Sequence, residues 1–222
     1  MRIALLGGTG DIGAGLALRW ATDSDHDIVI GSRDPEKARE TAAAYEDTLA
    51  DQGVDRKLTG FANEMAADRA DVVVVAVPAY HVTDVMGAVA DRLDADTLVI
   101  SPAVGISSSE DGLHYNPPSA GSVTALVADA APDGVDVVGA FHNLAADRLA
   151  DLDTELDADT LVVGDDEGAR TRVAELADDI TGLRALDAGP VENAAEVESL
   201  TPLLINLARY NDDLRDVGVT FE

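Results

Sequence analysis

The chain has 222 residues, with 43 acidic against 15 basic side chains and a formal net charge of −28, which argues against nucleic acid or an anionic membrane as a partner. It contains no cysteine, so disulfides, thiolate metal sites and cysteine nucleophiles are excluded. A hydrophobic content of 46% fits a water-soluble globular protein, and the longest apolar run, Val72–Ala79, is too short to span a bilayer and carries Pro78.

This length suffices for one domain with a small appendage. The acidic side chains are spread singly over helix faces and turns, as in DSDHD, DPEKARE and DLDTELDADT, and are not gathered in a tail. Such a surface repels itself in dilute buffer and much less where salt shortens the Debye length to a few ångström. A haloadapted, archaeal-type cytosol is therefore expected, the plainer alternative being an ordinary acidic protein. Met1 leads directly into an apolar run, which leaves no room for a cleavable leader and points to a cytoplasmic location. The four histidines are far apart and none forms an H-x-x-x-H pair, so no metal site is expected.

In MRIALLGGTGDIGAGLALRW, Met1–Leu6 reads as a buried strand, Gly7–Gly13 as a turn and Ala14–Trp20 as a helix. Gly8, Gly10 and Gly13 satisfy G-x-G-x-x-G, a spacing that permits a tight turn, close approach of backbone to a pyrophosphate, and tight strand–helix packing. Exposed N–H groups and the helix dipole favour an anion there. The competing reading is a purely structural glycine turn. Asp11 is read as structural, a carboxylate favoured at the positive end of the helix, with its backbone lining the site.

Asp27–Ile30 reads as a second strand, and Pro35–Asp51 as a helix with Asp34 as N-cap and Pro35 at its first position. Lys57–Thr59 is a short third strand and Ala62–Arg69 a short helix. Asp71–Val77 is a continuous apolar strand of the kind buried on both faces of a parallel sheet. Then come a helix over His81–Leu93, a fifth strand over Thr97–Ser101, a long Gly/Ser/Pro-rich loop over Pro102–Pro118, a helix over Ser119–Ala131 and a strand over Val135–Ala140. Strands over Thr160–Gly164 and Leu183–Asp187 flank a helix over Glu167–Ile180, and Val191–Tyr210 is a long amphipathic helix that Pro202 should kink. The order predicts an α/β, Rossmann-type, doubly wound and mostly parallel sheet extended by the last strands, with a C-terminal helical cap. Residues 1–188 form the dinucleotide-binding domain, and residues 189–222 a helical segment that closes the cleft and is a candidate dimer face.

The second strand ends in Gly31-Ser32-Arg33 and lacks the acid that bonds the ribose 2′-hydroxyl of NAD. Arg33 can fork onto a phosphate and Lys37 adds a second cation one helical turn on, so NADP is preferred. The alternative is that both cations pair with Asp34, Glu36 or Glu40 on the surface. Ligands of open α/β sheets lie beyond the carboxyl ends of the strands, here Val77–Tyr80, Ser101–Val104 and Phe141–Asn143. No lysine follows Lys57, and the Tyr-x-x-x-Lys pair of many ketone reductases is absent. His142 is the one histidine at a strand end and is equally well read as a satisfied structural residue. Chemistry between two cofactor rings needs orientation more than a strong acid.

Three stretches, RIALLGGTGDIGAGLALRWA, IVIGSRDPEKA and DAGPVENAAEVESLTPLLINLARYN, resemble the NADPH-dependent reductases of coenzyme F420, an 8-hydroxy-5-deazaflavin, and the resemblance runs from Met1 to Phe221. The resemblance implies reversible hydride transfer between NADP(H) and F420 as co-substrates. It places phosphate contacts on Thr9, Gly10, Asp11 and Ile12, a 2′-phosphate pocket on Ser32, Arg33 and Lys37, and further NADP contacts on Ala79, Thr83 and Ala146. His142, Ser199 and Thr201 match polar residues near the deazaflavin, with a positioning role. Ala79 stands where some relatives carry a tryptophan-like residue. For Ser199 and Thr201 the residues alone allow another reading, hydroxyls bonded back to their own helix. A homodimer or higher homo-oligomer is implied. Two other functions suit the same fold: an NADP-dependent reductase of a small oxo or imino acid, for which His142 would be the proton donor, and a non-catalytic NADP-sensing module.

Overall fold

The computed structural model describes residues 1–222. Eight strands form one sheet: β1 (Arg2–Leu6), β2 (Asp27–Ser32), β3 (Thr59–Ala62), β4 (Val72–Val75), β5 (Leu98–Ser101), β8 (Asp136–Gly139), β9 (Ala158–Gly164) and β10 (Leu183–Asp187). A separate two-stranded ribbon holds β6 (Ile106–Ser109) and β7 (Gly112–Tyr115). The sheet runs in the order β10-β9-β8-β5-β4-β1-β2-β3. Alternate residues of the central strands point to opposite faces. Ile3, Leu5, Val72, Val74, Leu98 and Ile100 therefore enter one core, and Ala4, Leu6, Val73, Val75 and Val99 the other.

Helices α1 (Asp11–Asp23), α2 (Pro35–Asp51) and α7 (Glu167–Asp178) cover the first face with Leu16, Trp20, Ala38, Leu49, Val173 and Leu176. The second face is covered by α3 (Asn63–Ala67), α4 (Val82–Val89) and α5 (Val123–Ala130), through residues such as Ala66, Met86, Val89 and Val127. A short α6 (Ala146–Ala150) packs on α1, and α8 (Ala194–Tyr210) lies over the ribbon and α5. Apolar on both faces, the central strands need helices on both sides. The resulting architecture is the expected Rossmann-type sheet with a C-terminal helix.

Departures from the expected elements have local causes. The third strand begins at Thr59, because Lys57 pairs with Glu46 at 2.7 Å and the Leu58 N–H donates to the same carboxylate at 2.9 Å, tying both residues to α2. The loop over 102–118 contains the ribbon, whose Ser-rich edge carries no apolar alternation; Asn206 of α8 holds it by bonding both the N–H and the C=O of Leu113. Ser122 accepts from the Ala125 N–H and delays α5 to Val123. The sheet is not extended purely in parallel, since β9 runs antiparallel to β8 and parallel to β10. Pro202 sits inside α8 without ending it.

Candidate active site

The strand order reverses between β1 and β4, with β2 and β3 on one side and β5 and β8 on the other. Ligands of such sheets bind beyond this switch point. Gly7, at φ +78°, makes the turn out of β1, a role expected of the counted glycines but held by their neighbour. A Cβ on Gly13 would stand 2.7 Å from the Gly8 Cα, so only glycine lets α1 pack this close to the loop. The first N–H groups of α1 have no intrahelical acceptor and face the cleft as anion donors. Tyr45 of α2 donates to the Gly8 carbonyl at 2.8 Å and clamps the loop; burial, with Asp11 nearby, pushes its hydroxyl pKa up to about 12.

Two cavities meet across Gly10 and Ala76–Pro78. One, of about 550 Å³, lies at the tip of β2 and is lined by Thr9, Ser32, Arg33, Lys37 and Asn63, with the acids Asp34, Glu64 and Asp84 also on its wall. Ser32 is buried, and its hydroxyl oxygen accepts from the Asp34 N–H at 3.2 Å, leaving its hydrogen free. Asp34 turns instead to the Glu36 and Lys37 N–H groups as the N-cap of α2. Neither Arg33 nor Lys37 takes part in any ion pair of the protein. The surface-pairing alternative therefore does not describe these two cations, and both remain free for a phosphate.

The larger cavity, of about 680 Å³, lies over the ends of β4, β5 and β8, lined by Asp11, Ile12, His142, Asn143, Ala146 and Thr201 among others. Its walls come from remote parts of the chain: Leu204, Ile205 and Ala208 of α8, and Asp216 and Val217 of the C-terminal tail. That tail is pinned along β9, where buried Asp159 pairs with Arg184 at 2.7 Å and accepts from the Phe221 N–H at 2.6 Å. Buried Arg19 anchors α6 and the segment after it by donating to the carbonyls of Arg148, Leu149, Asp151 and Thr154.

At the cavity floor, Phe141 adopts φ +66°, an outlier for a bulky residue, held by an edge-on contact with Trp20 and by its N–H donating to Thr160 Oγ1 at 2.9 Å. This reversal turns His142 inward to 2% exposure, and desolvation pushes its pKa down to about 3. Thr201 Oγ1 donates to the His142 carbonyl at 2.7 Å, tying α8 to the floor. Three buried polar atoms here, Ser101 Oγ, His142 Nδ1 and Asn143 Oδ1, have no protein partner. Unpaired buried polar groups are costly, and a polar-edged ring bound in the cleft would satisfy those of the two lining residues. The residues present thus suit a dinucleotide whose phosphate end meets Ser32–Arg33 and whose ring enters the larger cavity with space beside it.

Of the residues singled out in the sequence, Thr9, Ser32, Arg33 and Lys37 line the smaller cavity, Asp11, Ile12, His142, Ala146 and Thr201 the larger, and Gly10 both. Ala79, Thr83 and Ser199 line neither. Ala79 packs against the second core, Thr83 is exposed on α4, and the Ser199 hydroxyl donates to the Glu196 carbonyl of its own helix at 2.7 Å. Sequence reasoning missed Glu198, fully buried within α8, and Thr124, also fully buried. The one signal for Glu198 was a lone acid inside the apolar run VESLTPLL.

A glycine turn opening a helix at the switch point of a doubly wound sheet defines the Rossmann class of dinucleotide-binding proteins. Within it, the family described as NADP oxidoreductase, coenzyme F420-dependent, matches residues 2–105. The F420-dependent NADP reductase of Methanocaldococcus jannaschii is 38% identical over 93% of this chain and 92% of its own length. That of Methanothermobacter marburgensis is 38% identical over 99% of this chain and 97% of its own. A crystal structure of a candidate F420-dependent NADP-reductase from Arthrobacter sp. FB24 superposes with a TM-score of 0.77 at 25% identity, covering 94% of each chain. A pyrroline-5-carboxylate reductase from Coxiella burnetii, at 18% identity and TM-score 0.61 over 92% of this chain and 66% of its own, shares the fold. The chain belongs to the F420-dependent NADP reductase family.

Proposed function

We propose that the protein catalyses reversible hydride transfer between NADP(H) and coenzyme F420. The observation that carries this reading is the joining of the two cavities across Gly10: a polar one with two unpaired cations, and a larger one walled by apolar side chains of α8. Thr9, Asp11 and Ile12 offer backbone N–H groups to the pyrophosphate, Gly10, whose own N–H is taken by the Gly7 carbonyl at 2.9 Å, lets the backbone come close to it, and Ser32, Arg33 and Lys37 hold the 2′-phosphate. Ala146 supports the nicotinamide wall, while His142 and Thr201 position the second ring. Residues 1–188 bind the dinucleotide, and residues 189–222 close the cleft. The two co-substrates supply the redox chemistry; the protein's part is to hold their rings together and keep water out.

Reduction of a small oxo or imino acid would require a proton donor, and His142, buried with its pKa down to about 3, is poorly suited to that task at neutral pH. The net charge of −28 supports work in a salt-rich cytoplasm. Exposed Leu203, Leu207 and Tyr210, on one face of α8, offer a surface for a homodimer or higher homo-oligomer.

Mixing the protein in molar salt with NADPH and oxidised F420 should bleach the deazaflavin's visible absorbance. Tight NADPH binding without bleaching overturns the reading.

A further inference from the structure

The fully buried Glu198 has no part in dinucleotide recognition, yet four donors converge on it. Oε1 accepts from the Thr124 N–H at 2.8 Å and the Thr124 hydroxyl at 3.0 Å; Oε2 accepts from the Val123 N–H at 2.9 Å and the Tyr115 hydroxyl at 3.0 Å. On its far side, Thr124 Oγ1 meets His142 Nε2 at 3.4 Å. A Cβ on Gly139 would stand 2.5 Å from Thr124 Oγ1 and 2.9 Å from His142 Cε1, so the crossing is kept clear by a glycine at the end of β8. A threonine hydroxyl has one hydrogen. Given to Oε1 at the shorter distance, it leaves Oγ1 able only to accept, and His142 must carry its proton on Nε2. The ionisation of Glu198 does not disturb this order: a proton on Oε2 would point to the Tyr115 oxygen, whose own hydrogen can turn to the Gly121 carbonyl at 3.2 Å.

His142 Nδ1 is then a bare lone pair. Beside it in the chain, Asn143 gives its Nδ2 to the Asp159 carbonyl at 2.6 Å, which fixes the amide so that Oδ1 is the free end. Neither Nδ1 nor Oδ1 has a protein partner; both atoms lie just under the surface, closed to solvent, and both residues line the larger cavity, so a donor that meets them must shift the floor slightly.

We propose that Glu198, acting through Thr124, is a positioning residue that sets the tautomer of His142, so that the cleft floor presents two acceptors, His142 Nδ1 and Asn143 Oδ1, to an amide-type N–H of a bound redox co-substrate. A floor of this kind accepts an N–H edge and rejects an anionic oxygen at the same place. Such N–H groups exist on the nicotinamide carboxamide and on the pyrimidine edge of the deazaflavin. The inference rests on the reading that this cleft holds both rings.

The first test uses the protein alone, with the ring nitrogens of His142 read by ¹⁵N NMR at neutral pH. The expected result is a protonated Nε2 and a bare Nδ1 in the wild type and in Thr124→Ser, and a mixture of tautomers in Thr124→Val. A protonated Nδ1 in the wild type, or an unmixed tautomer in Thr124→Val, overturns the proposal. A merely structural role, Glu198 capping α5, would move melting temperature and leave the tautomer alone. The second test measures dissociation constants. If the carboxamide is read, the wild type binds the nicotinic-acid analogue of NADP+ about tenfold more weakly than NADP+, the scale of one uncharged hydrogen bond. If the deazaflavin is read, Thr124→Val weakens F420 by a similar factor, and the analogue is not discriminated. Neither effect would overturn the proposal. The expected tautomer without any F420 reduction by the wild type would overturn the functional reading and leave the role of Glu198 standing.

Discussion

The cavity at the tip of β2 takes its phosphate-facing side from two short segments, Gly7–Gly10 and Ser32–Lys37, with additions from Ala76–Pro78, α3 and α4, and its two cations face solvent. The cavity over β8 takes its floor from residues 142–147, its ceiling from α8, one rim from the tail at Asp216 and Val217, and its hidden support from Thr124 and Glu198. The first can be dissected one side chain at a time, since an exposed cation acts on its ligand directly. In the second, each group reaches the cleft through others, so a single change is felt at a distance.

The largest expected effect is at the first cavity. Arg33→Ala should raise the KM for NADPH by about 10- to 100-fold, the scale of charge-assisted bonds of 1.5–3 kcal/mol, and leave the KM for NADH almost unchanged. Steady-state kinetics with both nucleotides check this, and an equal loss for both would mean that Arg33 does not read the 2′-phosphate.

At the second cavity, Gly139→Ala should disturb without removing any functional group. The added Cβ would fall 2.5 Å from Thr124 Oγ1 and 2.9 Å from His142 Cε1. Overpacking of this kind costs about 1–3 kcal/mol, read as a fall in melting temperature. Binding of the co-substrate whose N–H edge the floor reads, F420 or NADPH, should weaken by about tenfold, the shift of one 1.4 kcal/mol step. Unchanged binding of both would place the Thr124–His142 contact away from the rings.

What the sequence disclosed follows the same division. The strand–glycine–helix opening, the Asp34 cap and the absence of an acid after β2 are patterns within a few residues, and their physics is local. The inward turn of His142 depends on Phe141 being held at positive φ by Trp20 and Thr160, contacts across 121 and 19 positions that no periodicity encodes. The ribbon over 106–115 was hidden for a related reason: its stability comes from Asn206, more than ninety residues on. Glu198 is one of 43 acids in the sequence, and only the packing of α5, whose first N–H groups it accepts, sets it apart.

Acid titration probes the second cavity more gently. The ordinary histidine pKa is about 6.5, against about 3 for His142 in the fold. Between those values the unfolded chain binds a proton that the folded one refuses, so stability is complete above about pH 6.5 and declines as pH falls towards 3. The slope for one group is about 1.4 kcal/mol per pH unit, giving about 2 kcal/mol between pH 6.5 and 5. Carboxylates held low by partners, such as Asp159 and Asp187, add their losses only in the more acid range. Glu198, raised by burial, acts with the opposite sign. Comparing melting temperatures at pH 7 and 5 for the wild type and His142→Gln isolates the histidine, and an undiminished acid loss in the variant would assign it elsewhere.

The smallest effect separates two hydroxyls two positions apart on α8. Ser199 gives its hydrogen to the Glu196 carbonyl one turn back, while Thr201 reaches out of the helix to the His142 carbonyl. The first bond is local to the helix, competes with solvent and leaves the cleft untouched. Ser199→Ala should therefore keep both KM values within about twofold and stability within about 0.5 kcal/mol, as surface changes usually do. Thr201→Val should lose about 1 kcal/mol with the bond that ties α8 to the floor. If Ser199→Ala proved the more damaging in F420 kinetics, α8 would have to rotate on binding so that Ser199 faces the ring, and the cleft ceiling would be a moving part.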